Sequence, residues 1–414
     1  MQVKQVFLFC NYSSGTTRSH LHLSNLKMDN VLRGFLHLPR LVFLDAAPWI
    51  EAFIKYFQLH EEYELHIVAI QVGMKKTTEC FEENGVHFHY VKSGLGIIPK
   101  VMDVLFGTQK KKGFPKYQHR FEVALKGIKP DVVMICGAEN PDYATAFLNN
   151  KCPNKLVILQ TLMNDPKRIA MGVSTEYRRI IEDRVIRHSN HFAVPDSQWI
   201  GYIKSVNHNA ICHPFTFPTI EPIVDKGIRK QYDFVFFAGL LGRNKGTNDV
   251  VSALGIVAKK FPNVKLNIIG SADELYMKEL RQQIKDEGLE RCIIMTPSFS
   301  LREDVFKQVA KSGCAVLPGI TASLNSTVRE AMLMGMPTIT YETPDTVIIN
   351  QESRCIITAQ MEDVDDLAQR MKSALINSQE MKIIAENGKT YANTHFSQKA
   401  FNDIFSEIIR KVCE

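Results

Sequence analysis

Short apolar runs recur along this chain, and each is followed by a stretch long enough to hold a helix. Arg40–Asp45, Leu65–Ile70, Val86–Val91, Asp131–Cys136 and Leu156–Leu159 read as strands. Trp49–Phe57, Lys75–Glu83, Phe121–Gly127 and Tyr143–Asn149 read as the helices of that series. The alternation restarts with strands at Phe234–Phe237, Leu266–Ile269, Ile293–Met295, Ala315–Leu317 and Thr338–Thr340. Helical stretches at Thr247–Lys260, Glu274–Glu287, Arg302–Ala310 and Thr327–Met334 separate those. A strand that is apolar throughout must be covered on both faces, and strands spaced by helices pair in parallel. Between the two series, Cys212–Pro222 carries Pro214, Pro218 and Pro222 and reads as an extended connector. The chain is therefore read as α/β, with two doubly wound Rossmann-like domains facing each other across a cleft, at 39–217 and 218–395. Residues 1–38 are set apart as an amino-terminal extension of uncertain structure: Val3–Phe9 could form a strand, but Ser, Thr, His and Asn crowd positions 11–30.

Composition narrows the function classes. With 414 residues, 45% of them hydrophobic and 23% charged, the chain can bury large cores and is not a disordered or low-complexity protein. A net charge of +6 is mild at this size, and without clustering it argues against a nucleic-acid binder. The densest basic run, Lys110–Lys112 with Lys116, fits a solvated loop or a patch for a membrane surface or acceptor. Nine cysteines with no CxxC pair fit neither a disulfide framework nor a zinc site. No apolar run is long enough to span a membrane, and Met1–Lys4 is a poor start for a secretory signal. The expectation is a cytoplasmic protein, at most peripheral at the inner face of the cell membrane.

Three loops have the chemistry to hold a ligand. Ala238–Gly246 follows an apolar strand, with Gly239 and Gly242 for a tight turn and Arg243 and Lys245 to meet phosphate oxygens. A plain surface turn reads the same way. Leu317–Gly319, then Asn325, Ser326 and Thr327, place polar residues at a helix start, where free amides and the helix dipole favour an anion. Glu330 is suited there to sugar hydroxyls, although Thr327-x-x-Glu330 also has capping-box spacing. Cys136–Asp142 ends another strand and supplies Glu139 and Asp142 as acceptor-binding or acid/base carboxylates, or as an ordinary polar loop before Pro141. Serine-hydrolase, P-loop, HExxH and complete GxGxxG signatures are all missing, and Gly94-Leu95-Gly96 is only a fragment of the last.

In this order and spacing the motifs resemble a family 4 glycosyltransferase with the GT-B fold, over about residues 40–414 and most closely over Phe234–Tyr341. Lys245-Gly246 resembles that family's Lys-Gly, whose lysine binds donor phosphate. Val264–Gly270 resembles its next strand and glycine. Glu330-Ala331-Met332-Leu333-Met334-Gly335-Met336-Pro337 matches its Glu-Ala-Met-Ala-x-Gly-x-Pro, whose glutamate contacts the donor ribose. Pro130–Val133 with Gly137-x-Glu139 resembles an acceptor-domain segment of bacterial capsule and exopolysaccharide transferases. The tail at 396–414 resembles a terminal helix that crosses back onto the first domain. Two positions depart: the family's second glutamate falls at Ala322, and its arginine five residues before the lysine falls at Leu240.

The resemblance implies transfer of a hexosyl-type sugar from a nucleotide-diphosphate sugar to a glycan or lipid-linked acceptor. It further implies retention of configuration, no metal or cofactor, and a place in bacterial surface-polysaccharide assembly. Lys245, Arg243 and the Ser326/Thr327 helix start would steady charge on the leaving diphosphate, with Glu139 as the acceptor-side carboxylate. Rival readings are a nucleotide-sugar epimerase of the same fold, a two-domain binding protein without chemistry, and an inactive partner subunit motivated by Ala322.

Overall fold

The computed structural model describes residues 3–414 except 28–29, 32–42, 44, 48, 94–114, 171, 173, 196, 220–221, 223–226, 300 and 321–323. It divides into two compact units: Met1–Phe217 with Asn402–Glu414, and Pro218–Phe401.

The first unit is built on an eight-stranded sheet. Its strands are β1 (Lys4–Cys10), β2 (Tyr63–Gln71), β3 (Thr78–Glu83), β4 (Val86–Lys92), β5 (Val132–Cys136), β6 (Lys155–Ile158), β7 (His191–Val194) and β8 (Ile211–Pro214), in the order β3-β4-β2-β1-β5-β6-β7-β8. Every pair is parallel except β3 with β4. The helices are α1 (Ile50–Gln58), α2 (Pro115–Ala124), α3 (Pro141–Asn149), α4 (Glu176–Arg187) and α5 (Trp199–Val206), with short turns of helix at Gly15–Ser19 and Pro166–Ala170. Phe7, Phe9, Val133, Ile135, Phe147 and Val157 lie in one buried cluster. Fully burying each such side chain is worth about 1.5–3 kcal/mol.

Three expectations change here. The first is that the amino-terminal residues are not an extension, since β1 lies mid-sheet between β2 and β5. Apolar residues at Val6–Cys10 are wholly buried there, and the polar crowding begins only after the strand ends. Second, Phe43 and Asp45 are not in a strand; Arg40, Leu41, Val42 and Leu44 lie outside the described residues, as do Gly94–Gly96 and Lys110–Lys112. Third, Thr78–Glu83 is an antiparallel edge strand rather than part of a helix, with Phe81 stacked on Phe88 at 5.0 Å. Asn84-Gly85, both at positive φ, turns that hairpin; Asn-Gly is a strong hairpin signal.

The second unit is a six-stranded, all-parallel sheet in the order β11-β10-β9-β12-β13-β14. Its strands are β9 (Tyr232–Leu240), β10 (Leu266–Ser271), β11 (Ile293–Thr296), β12 (Ser312–Val316), β13 (Thr338–Tyr341) and β14 (Ile357–Ala359). Its helices are α6 (Thr247–Ala258), α7 (Glu274–Asp286), α8 (Arg302–Val309), α9 (Ser326–Leu333), α10 (Val364–Ile376) and α11 (Ser378–His395), with a short helix at Pro344–Ile349. A last helix, α12 (Gln398–Cys413), contributes Asn402–Cys413 to the first unit, where Phe405 packs edge-on against Phe53 and Tyr56.

Strand order reverses at β9, which pairs with β10 on one side and β12 on the other. In open parallel sheets such a switch point leaves a crevice beyond the carboxyl ends of the strands, because successive connections depart in opposite directions. The loops leaving β9 and β12 are the two that carry the expected phosphate-binding residues. In the first unit the same reversal falls at β1 and β5, and β5 leads directly into Glu139.

Candidate functional site

The loop after β9 is folded by its own backbone. Gly242 N–H donates to Thr247 Oγ1 at 3.2 Å, and that hydroxyl donates back to the Gly242 carbonyl at 3.1 Å. A 3-10 turn, Arg243–Lys245, then leads into Gly246, whose φ of 75° is left-handed. A Cβ on Gly246 would lie 2.0 Å from the Pro318 carbonyl oxygen, so only glycine lets this turn rest against the loop after β12. Ile320 N–H donates to the Asn244 carbonyl at 3.1 Å, tying the two loops together. Gly239 demands no such explanation: a Cβ there would meet nothing within 4 Å.

From Ile320 the chain runs to Asn325, the N-cap of α9, which gives α9 no side-chain cap hydrogen bond. The Asn325 side chain instead lies against Gly319, where a Cβ would come within 1.8 Å of its amide nitrogen. Leu324 N–H donates to Asp345 Oδ2 at 2.8 Å. The first amides of a helix have no intrahelical acceptor, so Ser326 and Thr327 present donors at the positive end of the helix dipole. The structure thus joins the turn that holds half-buried Lys245 to the loop that leads toward α9 through the Asn244–Ile320 hydrogen bond. Arg243 goes elsewhere. Its side chain is 70% exposed and pairs with Glu279 of α7 at 3.3 Å.

Glu330 is not a capping-box residue. Because α9 begins at Ser326, Glu330 is its fifth residue, two positions past the third, from which a capping-box side chain bonds the cap. Its side chain is 4% exposed, and Oε1 accepts from Arg302 Nη2 at the start of α8. Oε2 is buried without a hydrogen-bond partner. Burial pushes the Glu330 carboxyl above its usual range, and Arg302 and then Arg329 pull it back. Any ligand of Glu330 must displace atoms that now cover it. Sequence reasoning missed Arg302 as a site residue, because no motif links it to a glutamate 28 positions later.

At the carboxyl end of β5, Gly137 has φ 95°, and a Cβ there would meet Tyr143 Oη at 2.9 Å. Asn140 caps α3 by accepting from Asp142 N–H at 2.9 Å, and Asp142 accepts from Ser93 Oγ at 2.8 Å. Glu139 is 7% exposed, with Oε2 buried and unpartnered. Burial raises its carboxyl, while Arg178 and Arg168 oppose the rise. Thr161 Oγ1, Arg168 Nε and Trp49 Nε1 are further buried polar atoms of this unit without hydrogen bonds. Glu182 of α4 went unnoticed in the sequence. It accepts from Met163 N–H at 2.8 Å and from the Asn164 backbone and side chain at 3.0 and 2.9 Å. Its carboxyl is pushed up to about 7, chiefly by burial, with Glu139 adding to the rise.

A cavity of about 810 Å³ opens elsewhere in the second unit, beside Tyr232, Gly313 and Pro337. Those residues stand at the amino-terminal ends of β9, β12 and β13, so it lies at the opposite end of the strands from the loop pair. Among the described residues, no three His, Cys, Asp or Glu side chains are placed to hold a metal ion, and no helix is long and apolar enough to cross a membrane.

Residues 220–391 match the family model described as glycosyl transferases group 1. Two parallel-sheet Rossmann-like units of this kind match the fold of GT-B glycosyltransferase structures. An uncharacterized glycosyltransferase of Methanocaldococcus jannaschii is 24% identical over 151 residues, covering 34% of this chain and 36% of that protein. The chain thus spans about a third of that relative's length. The sucrose-phosphate synthase of Thermosynechococcus elongatus superposes with a TM-score of 0.71 at 12% identity over 99% of each chain. Anabaena HepE, solved in complex with UDP and glucose, superposes with a TM-score of 0.64 at 12% identity over 99% of this chain and 100% of that one. At such identities the likeness is one of fold.

Proposed function

We propose that the protein is a glycosyltransferase that moves a hexosyl-type sugar from a nucleotide-diphosphate sugar to a glycan or lipid-linked acceptor. The observation that supports this reading is the Asn244–Ile320 hydrogen bond with Gly246 seated on Pro318, which joins the lysine-bearing loop to the loop that leads to α9. Two phosphates need a combination of a cation and free amides, and the same groups would steady charge on the bridging oxygen as the sugar leaves. The match over 220–391 and the UDP-bound relative support it. In this reading Lys245, Ser326 and Thr327 face the diphosphate, Gly239 and Gly242 allow its close approach, Asn325 shapes the loop, and Glu330 takes the ribose hydroxyls. Arg243 would reach the phosphates only by leaving Glu279. Glu139, with an unsatisfied oxygen beyond the end of β5, would receive the acceptor hydroxyl.

The finer features of the proposal follow the family 4 resemblance. They are retention of configuration, independence of metal, and work in bacterial surface-polysaccharide assembly from the cytoplasm, at most peripheral to the inner face of the cell membrane. Thermal-shift screening with UDP-, GDP- and ADP-sugars tests the reading: one of them is expected to stabilise the protein by about 2.7 kcal/mol at a hundred times its dissociation constant. No stabilisation by any of the three would overturn it. Mass and configuration of the product, measured with and without an acceptor, separate transfer from epimerisation.

A further inference from the structure

Arg302 is held from two sides. Its guanidinium donates to Glu330 Oε1 and lies over the Phe306 ring, 5.4 Å from the centroid, one turn along the same helix. The contact leaves Glu330 with one oxygen engaged and the other buried and unpartnered. An ionised carboxylate only accepts hydrogen bonds, whereas a protonated one spends an oxygen as a donor. Burial drives Glu330 toward the protonated form, and the charges that oppose it are Arg302 from α8 and Arg329 from its own helix. Asp345, on the short helix Pro344–Ile349, acts in turn on Arg329.

We infer that Arg302 is a positioning residue for donor recognition: it clamps Glu330 by Oε1 as a charged acceptor and leaves Oε2 for a ribose hydroxyl that displaces the atoms now covering it. The inference rests on the reading of Glu330 as the ribose ligand. It adds that ribose discrimination belongs to the pair, because without its clamp the carboxyl would lose the main interaction that favours its charged form and would be free to turn. The buried, unsatisfied oxygen also gives the hydroxyl a large effect, since a ligand lacking it leaves that oxygen stranded.

The test is calorimetry on the full-length protein with UDP, GDP and ADP, followed by the 2′-deoxy and 3′-deoxy forms of the tightest binder. A hydrogen bond to a charged group predicts that the wild type prefers the ribo form over one deoxy form by at least about tenfold. In Arg302→Met the ribo form is expected to fall to the affinity of that deoxy form, whose own binding stays unchanged. Arg302→Lys, which keeps a charge at Oε1, is expected to recover most of the preference. Arg302→Gln keeps a donor without the charge, serves if the Met variant does not fold, and is expected to lose the preference too. Equal losses for ribo and deoxy forms, or an intact preference in the uncharged variants, would overturn the role of Arg302 and leave the donor reading standing. Failure of all three nucleotides to bind the wild type would overturn both.

Discussion

Gly246 rests on Pro318 so closely that a Cβ would come within 2.0 Å of the Pro318 carbonyl oxygen. This contact and the Ile320-to-Asn244 hydrogen bond join the loops leaving β9 and β12. Gly246→Ala therefore carries two penalties, a left-handed alanine costing about 1–2 kcal/mol and a backbone clash that parts the loops. Urea denaturation is expected to show a loss above about 2 kcal/mol, with nucleotide affinity falling alongside. An unchanged midpoint would mean that the two loops are not locked together.

Lys245 and Arg243 are two residues apart, yet the structure gives them different settings. Lys245 is half-buried at the loop junction, while Arg243 stands in solvent against Glu279. Removing one charged contact to a leaving diphosphate costs on the order of 3 kcal/mol, so Lys245→Ala is expected to lower kcat about a hundredfold. An exposed ion pair is worth about 1 kcal/mol or less, so Arg243→Ala should leave stability nearly unchanged. Its kcat then decides whether the arginine leaves Glu279 to meet the donor. Full turnover by Lys245→Ala in a donor-consumption assay would refute the phosphate role.

Glu139, whose Oε2 is buried and unpartnered, is proposed to meet the acceptor rather than the donor. Glu139→Gln keeps the shape and removes the charge. It is expected to reduce transfer by about a hundredfold, within the usual range for a positioned acid or base, with nucleotide affinity unchanged. A parallel loss of nucleotide binding would count against an acceptor-side role.

Acid stability should respond to two buried groups that oppose each other. Glu182 is wholly buried and pushed up to about 7 from an ordinary 4.5. The folded protein holds that proton more tightly than the unfolded chain, so this contribution is complete below about pH 4.5 and is lost as pH rises through 7. The full shift corresponds to roughly 3 kcal/mol. His66 and His89 share a hydrogen bond of 3.0 Å, and burial brings each down to about 4. Their effect has the other sign, because the unfolded chain takes up protons below about pH 6.5 that the folded one refuses. Urea midpoints at pH 5, 6 and 7 should therefore rise more steeply with pH in Glu182→Gln than in the wild type. Parallel curves would show that Glu182 has no raised affinity for its proton.

Much of this architecture was legible because its strands are buried on both faces. Phe234–Phe237 and Asp131–Cys136 announce parallel strands without any contact being known. Thr78–Glu83 was misread because a six-residue edge strand with one large apolar residue has no clear period, although Asn84-Gly85 marked its hairpin. The loops after β9 and β12 were legible as candidate phosphate loops from glycines and a lysine next to strand ends. Thr327-x-x-Glu330 looked like a cap because spacing says nothing of where a helix begins, and Asn325 rather than Ser326 or Thr327 stands at the cap position.

Residue order alone determined two α/β units built mainly on parallel strands, the loops suited to phosphate and the candidate carboxylates, since hydrophobic period and turn chemistry are local. Tertiary structure decided which of those groups meet. Strand order put β9 beside β12 and so joined the loop of Lys245 to the loop that leads to α9, and helix packing set Arg302 against Glu330. Such pairings depend on contacts between residues far apart in the chain, where burial and charge act through space and leave no periodic mark in the sequence.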